Sequence, residues 1–297
     1  MKGNFVLSCE STVDFPYSYI AGRDIPVIFY SYSVDGVEYV DDMGRDPEAL
    51  PRFYKFLDDG KQPSTSQINV FRYTEFFEPI LKEGHDLLHI GFGTGMTPSV
   101  NNAFIAADDL REKYPDRKII VIDSFCSSSG YGMLVDYAAD MRDNGDSIEA
   151  TADWVCAWRK RIHHQFYCTD LTHFKRSGRI SGAAASIATI LNICPIMRLD
   201  DRGRIIVYDK VRGRKNAIKR TISTMLEHIV DGAEYAGKCC ICHSNNYDDA
   251  LETQRVVLET FPNLKEVPIC DIGTIIASHS GAGTVAVFFL GDERAPE

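Results

Sequence analysis

The stretch "DLLHIGFGTGM", residues 86–96, sets an apolar run from Leu87 to Phe92 directly before a glycine-rich turn. A run of that length closed by turn residues reads as a buried strand. Residues 97–114 then read as a helix, and "KIIVIDS", 118–124, as a second strand. Strand, helix and strand at this spacing predict an α/β fold with a parallel sheet covered by helices. Ligands of such sheets gather beyond the carboxyl ends of the strands, which is where 91–96 lies.

Working outward, "NFVLS" at 4–8 reads as another strand, ending in the polar turn "CEST". "PVIFYSYSVDGVEYVDD" at 26–42 reads as two strands joined across Asp35-Gly36, a hairpin dipeptide. A helix is expected around 71–83. In "DWVCAWRKRIHHQFY", 153–167, Trp154, Trp158, Ile162 and Phe166 recur every fourth residue, which predicts one buried face of a helix. Beyond it the pattern changes to a strand pair at 194–213, a helix near 214–231, the strand "KCCICHS" at 238–244, a helix near 248–260 and a closing strand with His279. A domain boundary is therefore drawn near residue 165.

Thirty-two basic against 42 acidic side chains leave a net charge of −10, which disfavours nucleic acid and anionic lipid surfaces as partners. No run of about 18 apolar residues occurs and the first residues lack the apolar core of a signal peptide, so a cytoplasmic chain without a membrane span is expected. The nine cysteines lie mostly in apolar segments. Cys239, Cys240, Cys242 and His243 crowd together, but zinc sites offer a second ligand pair elsewhere and none is present, so a buried strand is the better account and no metal is assigned.

"GFGTGM" lacks the third glycine of a dinucleotide loop and the Gly-Lys-Ser/Thr of a phosphate loop, and both readings are rejected. What survives is a glycine turn whose following helix could receive an anion, with the Thr94 hydroxyl beside it. "QPSTSQ", 62–67, places three hydroxyls where helix capping is the ordinary reading and an anion-binding cluster the sharper one. A serine hydrolase finds no G-x-S-x-G elbow, and the acids are too scattered for a paired-carboxylate hydrolase. Positive charge concentrates in "HFKRSGR", 173–179, and in "KVRGRKNAIKR", 210–220, either as a solvated face or as a local anion or partner site.

Taken in order, "ESTVDFP", "PSTSQ", "GTGMTPSVNNA", "VIDSFCSSSGYG", "HFKRSGRISGAAASIATILNICPI", "KVRGRKNAIK" and "SHSGAGTVA" resemble the motifs of the DegV family, bacterial proteins that bind long-chain fatty acids. Thr65, Ser66 and Gln67 match its Thr-Ser-Gln motif, Thr94 and Gly95 its Ser-Gly motif, Arg179 its Gly-Arg-Ile arginine, and His279 the histidine of its His-Thr-Gly-Pro-Gly turn. Glu10, Cys194 and Ala282 depart from that pattern. The resemblance implies an N-terminal, three-layer parallel-sheet domain over 1–165 and a C-terminal α/β domain with a mixed sheet over 166–297, with the fatty acid between them.

It further implies a carboxylate held by Thr65, Ser66, Thr94 and Gly95 near Arg179 and His279, and room for the chain beside the small residues of "SGAAASIATIL". The expected role is that of a carrier with no catalytic residues and no cofactor. Such a carrier presents its acid to a separate fatty acid kinase resembling dihydroxyacetone kinase, which makes the acyl phosphate. Arg212 and Arg214 are assigned to kinase docking or phosphate contact, and a monomer is expected. The alternative is a small-molecule hydrolase or transferase with His279 as general base.

Overall fold

The protein is described from a computed structural model covering residues 4–180 and 192–296. Strands β1 (Phe5–Glu10), β2 (Val27–Ile28), β6 (Asp86–Gly91) and β7 (Ile119–Asp123) form an all-parallel sheet in the order β2-β1-β6-β7. Its strands are nearly continuous in buried residues because helices cover both faces. The helices Val70–Lys82 and Ser99–Lys113 pack together against β6 and β7, and Ser128–Asn144 with Ile148–Trp158 form the second pair. A three-stranded antiparallel flap, β3 (Ser31–Val34), β4 (Val37–Val40) and β5 (Ser64–Ser66), stands beside it in the order β4-β3-β5.

The second sheet is mixed. It runs β10-β9-β8-β13-β11-β12, from β8 (Ile162–Tyr167), β9 (Ile193–Leu199), β10 (Ile205–Arg212), β11 (Cys239–His243), β12 (Ile269–Asp271) and β13 (Val285–Leu290), and only β11 and β12 pair in parallel. Alternation along β13 divides the interior: Ala286 and Phe288 join the core shared with the first sheet, while Val285, Val287 and Phe289 face the helices Arg214–His228 and Tyr247–Thr260.

Three sequence readings are corrected. The helix after Asp153 stops at Trp158, a short 3-10 turn follows, and Ile162 to Phe166 belong to β8. The i+4 spacing is real only for Trp154 and Trp158, whose rings stack at 5.7 Å. Pairing with β13 and β9 ends the helical period at "IHHQFY", whose Ile162, Phe166 and Tyr167 are themselves good strand formers. Residue 165 thus lies inside a strand of the second sheet, and a cut between the sheets has to precede Ile162.

Second, Ser64–Ser66 is a strand paired to β3 rather than a cap, and Asn69 caps the next helix by accepting from the Arg72 amide at 2.9 Å. Third, His279 stands in the last turn of a short helix, Thr274–Ser280, not in the closing strand. The small-residue run "SGAAASIATIL" (181–191) lies outside the described residues.

The helix Ser128–Asn144 was not legible in "SSSGYGM" because its glycines signal close approach rather than a turn. This helix lies between the two sheets and touches β1, β8, β11 and β13. A Cβ at Gly130 would fall 2.4 Å from His164 Nε2, and one at Gly132 2.5 Å from the Val13 carbonyl oxygen. Gly95 is equally constrained: its Cβ would sit 2.3 Å from the carbonyl carbon and oxygen of Gly203 in the β9–β10 turn. Because that neighbour is backbone, Gly95→Ala is expected to cost about 1–3 kcal/mol, read as a lower denaturant midpoint at unchanged slope. A midpoint equal to the parent's would show that the two loops do not meet.

Candidate functional site

Where the two sheets and the flap converge there is a cavity of about 190 Å³. Much of its wall is apolar: Phe92 and Met96 from the β6 side, Phe166 from β8, Phe174, Leu199, Ile205, Ile275 and Phe288. Its polar wall is made by Thr65, Ser66, Gln67, Thr97, Ser127, Ser128, His164, Arg179, His279 and Ser280. No described lining residue is a carboxylate. In a chain of net charge −10 this absence is informative, because the charged side chain in the described wall is the cation Arg179.

Two elements bring the site's centre together. The register Tyr32↔Thr65 in the flap aims Thr65 at the end of the helix Thr274–Ser280. That helix is tied at its start by two buried carboxylates: the Gly273 amide donates to Asp14 Oδ1 at 3.0 Å, and the Thr274 amide and hydroxyl donate to Asp41 Oδ1 at 3.2 and 2.8 Å. Burial raises both, Asp41 to about 6. At the other end, His279 Nε2 meets Thr65 Oγ1 at 2.9 Å.

His279 Nδ1 is buried and has no partner among the described residues. Burial, helped by Arg179 and Arg176, lowers the imidazole to about 4, so it is neutral at pH 7. Its folded pKa lies below the unfolded one, so this group's stabilising effect is complete above the unfolded pKa near 6.5 and fades as pH falls towards 4. A buried orphan nitrogen costs about 1–3 kcal/mol, which a ligand oxygen in hydrogen-bond reach would remove. The half-buried Arg179 guanidinium donates to the Ser177 carbonyl at 2.6 Å and the Met96 carbonyl at 3.4 Å, and no carboxylate pairs with it among the described residues. Together these offer hydroxyls, a neutral imidazole and an unneutralised cation to one anionic group.

His164 is the second histidine of the wall. The Ser127 amide donates to its Nε2 at 3.1 Å, which leaves Nδ1–H to donate to the Ile162 carbonyl at 3.0 Å. Burial holds it neutral. Sequence reasoning missed it and Phe166 because both were placed on a helix; the alternation of a strand would have put the two on one face.

Thr65, Ser66, Arg179 and His279 therefore meet in one cavity, whereas Thr94 and Gly95 do not line it. The glycine turn is already filled by the protein's own carboxylates: Glu10 accepts from the Phe92 amide, and Asp123 accepts from the amide and hydroxyl of Thr94. The helix beyond begins only at Ser99. Arg212 and Arg214 lie apart, exposed at the end of β10 and the start of the next helix; Arg214 pairs with Asp249 at 3.5 Å. As for chemistry, the His279 base would lack an orienting acid among the described residues, where its Nδ1 has no partner. Cys239, Cys240 and Cys242 are buried in β11, and burial raises all three thiols, which fits apolar packing.

A family described as "Uncharacterised protein, DegV family" matches residues 5–292. The chain belongs to the DegV family. A DegV domain-containing protein of Clostridium perfringens is 37% identical over 293 residues, 98% of this chain and 99% of the relative. Among solved structures, a fatty-acid-binding DegV family protein from Thermus thermophilus is 25% identical with a TM-score of 0.86, over 98% of this chain and 100% of the other. The Streptococcus pneumoniae fatty acid kinase (Fak) B3 protein, loaded with linoleic acid, has the same fold at 19% identity, TM-score 0.82, over 97% and 100%. The DegV architecture of a parallel and a mixed sheet is thus the architecture of this chain. Among the described residues no helix is long and apolar enough to cross a membrane.

Proposed function

We propose that this DegV protein binds a long-chain fatty acid in the cavity, with the carboxylate at Thr65, Ser66, Arg179 and His279 and the acyl chain along Phe166, Phe174, Ile275 and Phe288. The observation that carries the reading is the end of an apolar cavity where an unpartnered His279 Nδ1 and an unneutralised Arg179 meet with no acid in the described wall. Burying about fifteen methylenes at roughly 0.8 kcal/mol each yields on the order of 12 kcal/mol before ordering costs. The carboxylate is costly to bury unless donors replace its water, and this end has them. Relatives of the same fold, the Thermus and pneumococcal proteins among them, are fatty-acid binders and support the reading.

The test is mass spectrometry of an organic extract from denatured, purified protein. A stoichiometric long-chain fatty acid is expected. No extracted acid, followed by no binding of purified palmitate or oleate, would remove the reading.

The finer role is that of a carrier without its own catalysis, made of two α/β halves that hold the acid between them and present it to a separate kinase for acyl-phosphate formation. The pneumococcal neighbour, a fatty acid kinase B protein, supports it. Arg212, which has no ion pair among the described residues, and Arg214 are the docking candidates, in the basic stretch 210–220 of a chain whose net charge is −10. Reversing both charges, Arg212→Glu with Arg214→Glu, is expected to lower coupled acyl-phosphate formation by a cognate kinase at least tenfold while fatty acid affinity stays within about twofold. Unchanged coupled turnover would end the docking assignment.

A further inference from the structure

On the far face of β8 from the cavity, three residues distant in sequence converge. His163 opens that strand's outer row, His228 ends the helix Arg214–His228, and Asp292 follows β13. His163 Nε2 lies 3.0 Å from Asp292 Oδ1, and His228 Nδ1 lies 3.2 Å from both Asp292 oxygens. One ligand atom from each residue falls within 4.8 Å of the others. Ligands about 2.0–2.1 Å from a tetrahedral ion stand about 3.4 Å apart, so the nitrogen–oxygen spacings already sit near what an ion would impose.

The arrangement is held rather than incidental. The His163 ring lies nearly parallel to those of Phe289, 5.0 Å away, and His228, 5.1 Å away, with interplanar angles of 14° and 22°. The Gly291 amide donates to the Arg161 carbonyl at 2.8 Å and the Asp292 amide to the His228 carbonyl at 2.9 Å, which pins the chain end against both elements. A Cβ at Gly291 would lie 2.6 Å from the His163 ring and 2.5 Å from the His228 carbonyl oxygen, so the close approach requires glycine. His163 is buried, whereas the side chains of His228 and Asp292 are 36% and 59% exposed, which leaves an entry path and room for water ligands. The buried Arg294 donates to the Phe125 and Lys160 carbonyls and approaches His164, the neighbour of His163 in β8.

We propose that His163, His228 and Asp292 form a binding site for a divalent transition-metal ion of the zinc type. Two imidazoles and one carboxylate suit zinc, cobalt or nickel rather than the hard oxygen-seeking cations. Three protein ligands leave at least one coordination position to water. An ion here would fasten the segment after β13 to β8 and to the helix end, behind the ligand cavity and independently of its occupancy.

The experiment is a titration of the metal-free full chain with Co²⁺, followed by absorption and by thermal unfolding. One equivalent is expected, with d–d bands of nitrogen and oxygen ligation, no thiolate charge-transfer band, displacement by Zn²⁺ and a raised unfolding midpoint. His228→Ala and Asp292→Asn are each expected to weaken Co²⁺ binding at least tenfold while fatty acid affinity is unchanged. Absence of one-equivalent binding would overturn the site and leave the cluster a hydrogen-bonded clasp. A thiolate band, or equal Co²⁺ affinity in His228→Ala, would move the metal to the cysteines and overturn it as well.

Discussion

Arg179→Glu is expected to weaken fatty acid binding by on the order of 100-fold or more. The substitution removes the one guanidinium among the described residues of the cavity wall and sets a carboxylate where the ligand's own would lie. Losing one member of a buried charge pair costs about 2–5 kcal/mol, and like-charge repulsion adds to it. Among the described residues the native contacts given up are two carbonyl acceptors, at Ser177 and Met96, so folding should change little. Arg179→Lys keeps the charge without the planar fork and should lose much less. The measurement is calorimetric titration of delipidated protein with oleate, beside a thermal unfolding curve. Affinity within threefold of the parent, in a protein unfolding at the parent's temperature, would place the carboxylate elsewhere.

Glu10→Ala is expected to be the most damaging single change to the fold, at about 3 kcal/mol or more. Glu10 is fully buried at the carboxyl end of β1. It accepts from the Tyr30 hydroxyl at 2.9 Å, the Tyr73 hydroxyl at 2.5 Å and the Phe92 amide at 3.0 Å, and His89 Nε2 stands 3.5 Å away. Alanine would strand those donors at about 1–3 kcal/mol each, less whatever the structure recovers by relaxing. Glu10→Gln keeps the shape and one acceptor and should cost less. Denaturant unfolding of both variants decides it: a loss under about 1 kcal/mol for alanine would mean that the donors find other partners. Since Tyr30 and Phe92 also line the cavity, a reorganised Glu10 variant should bind fatty acid more weakly too.

These two residues also show how far sequence reading reaches. Glu10 is a departure from the family's motif pattern, but nothing in "ESTVDFP" shows that two tyrosines and a backbone amide from distant segments share it. Arg179 was legible as a cation in a motif. That it has no carboxylate partner among the described residues follows only from what the fold sets beside it. Thr94 looked like a donor to an anion, and tertiary contact gave its amide and hydroxyl to Asp123 instead.

The sequence by itself determined the alternation of strands and helices in the first half, the hairpin at Asp35-Gly36, the β9–β10 pair, the buried cysteine strand and the DegV motifs. Those signals are local: hydrophobic period, turn dipeptides and charge are written within a few residues. Tertiary structure alone decided that "IHHQFY" is a strand, that "SSSGYGM" opens a buried helix, that His279 ends a helix facing Thr65 across 214 positions of chain, and that His163, His228 and Asp292 meet. Pairing partners and close backbone approach supply the free energy in those places, and they come from segments far away in sequence.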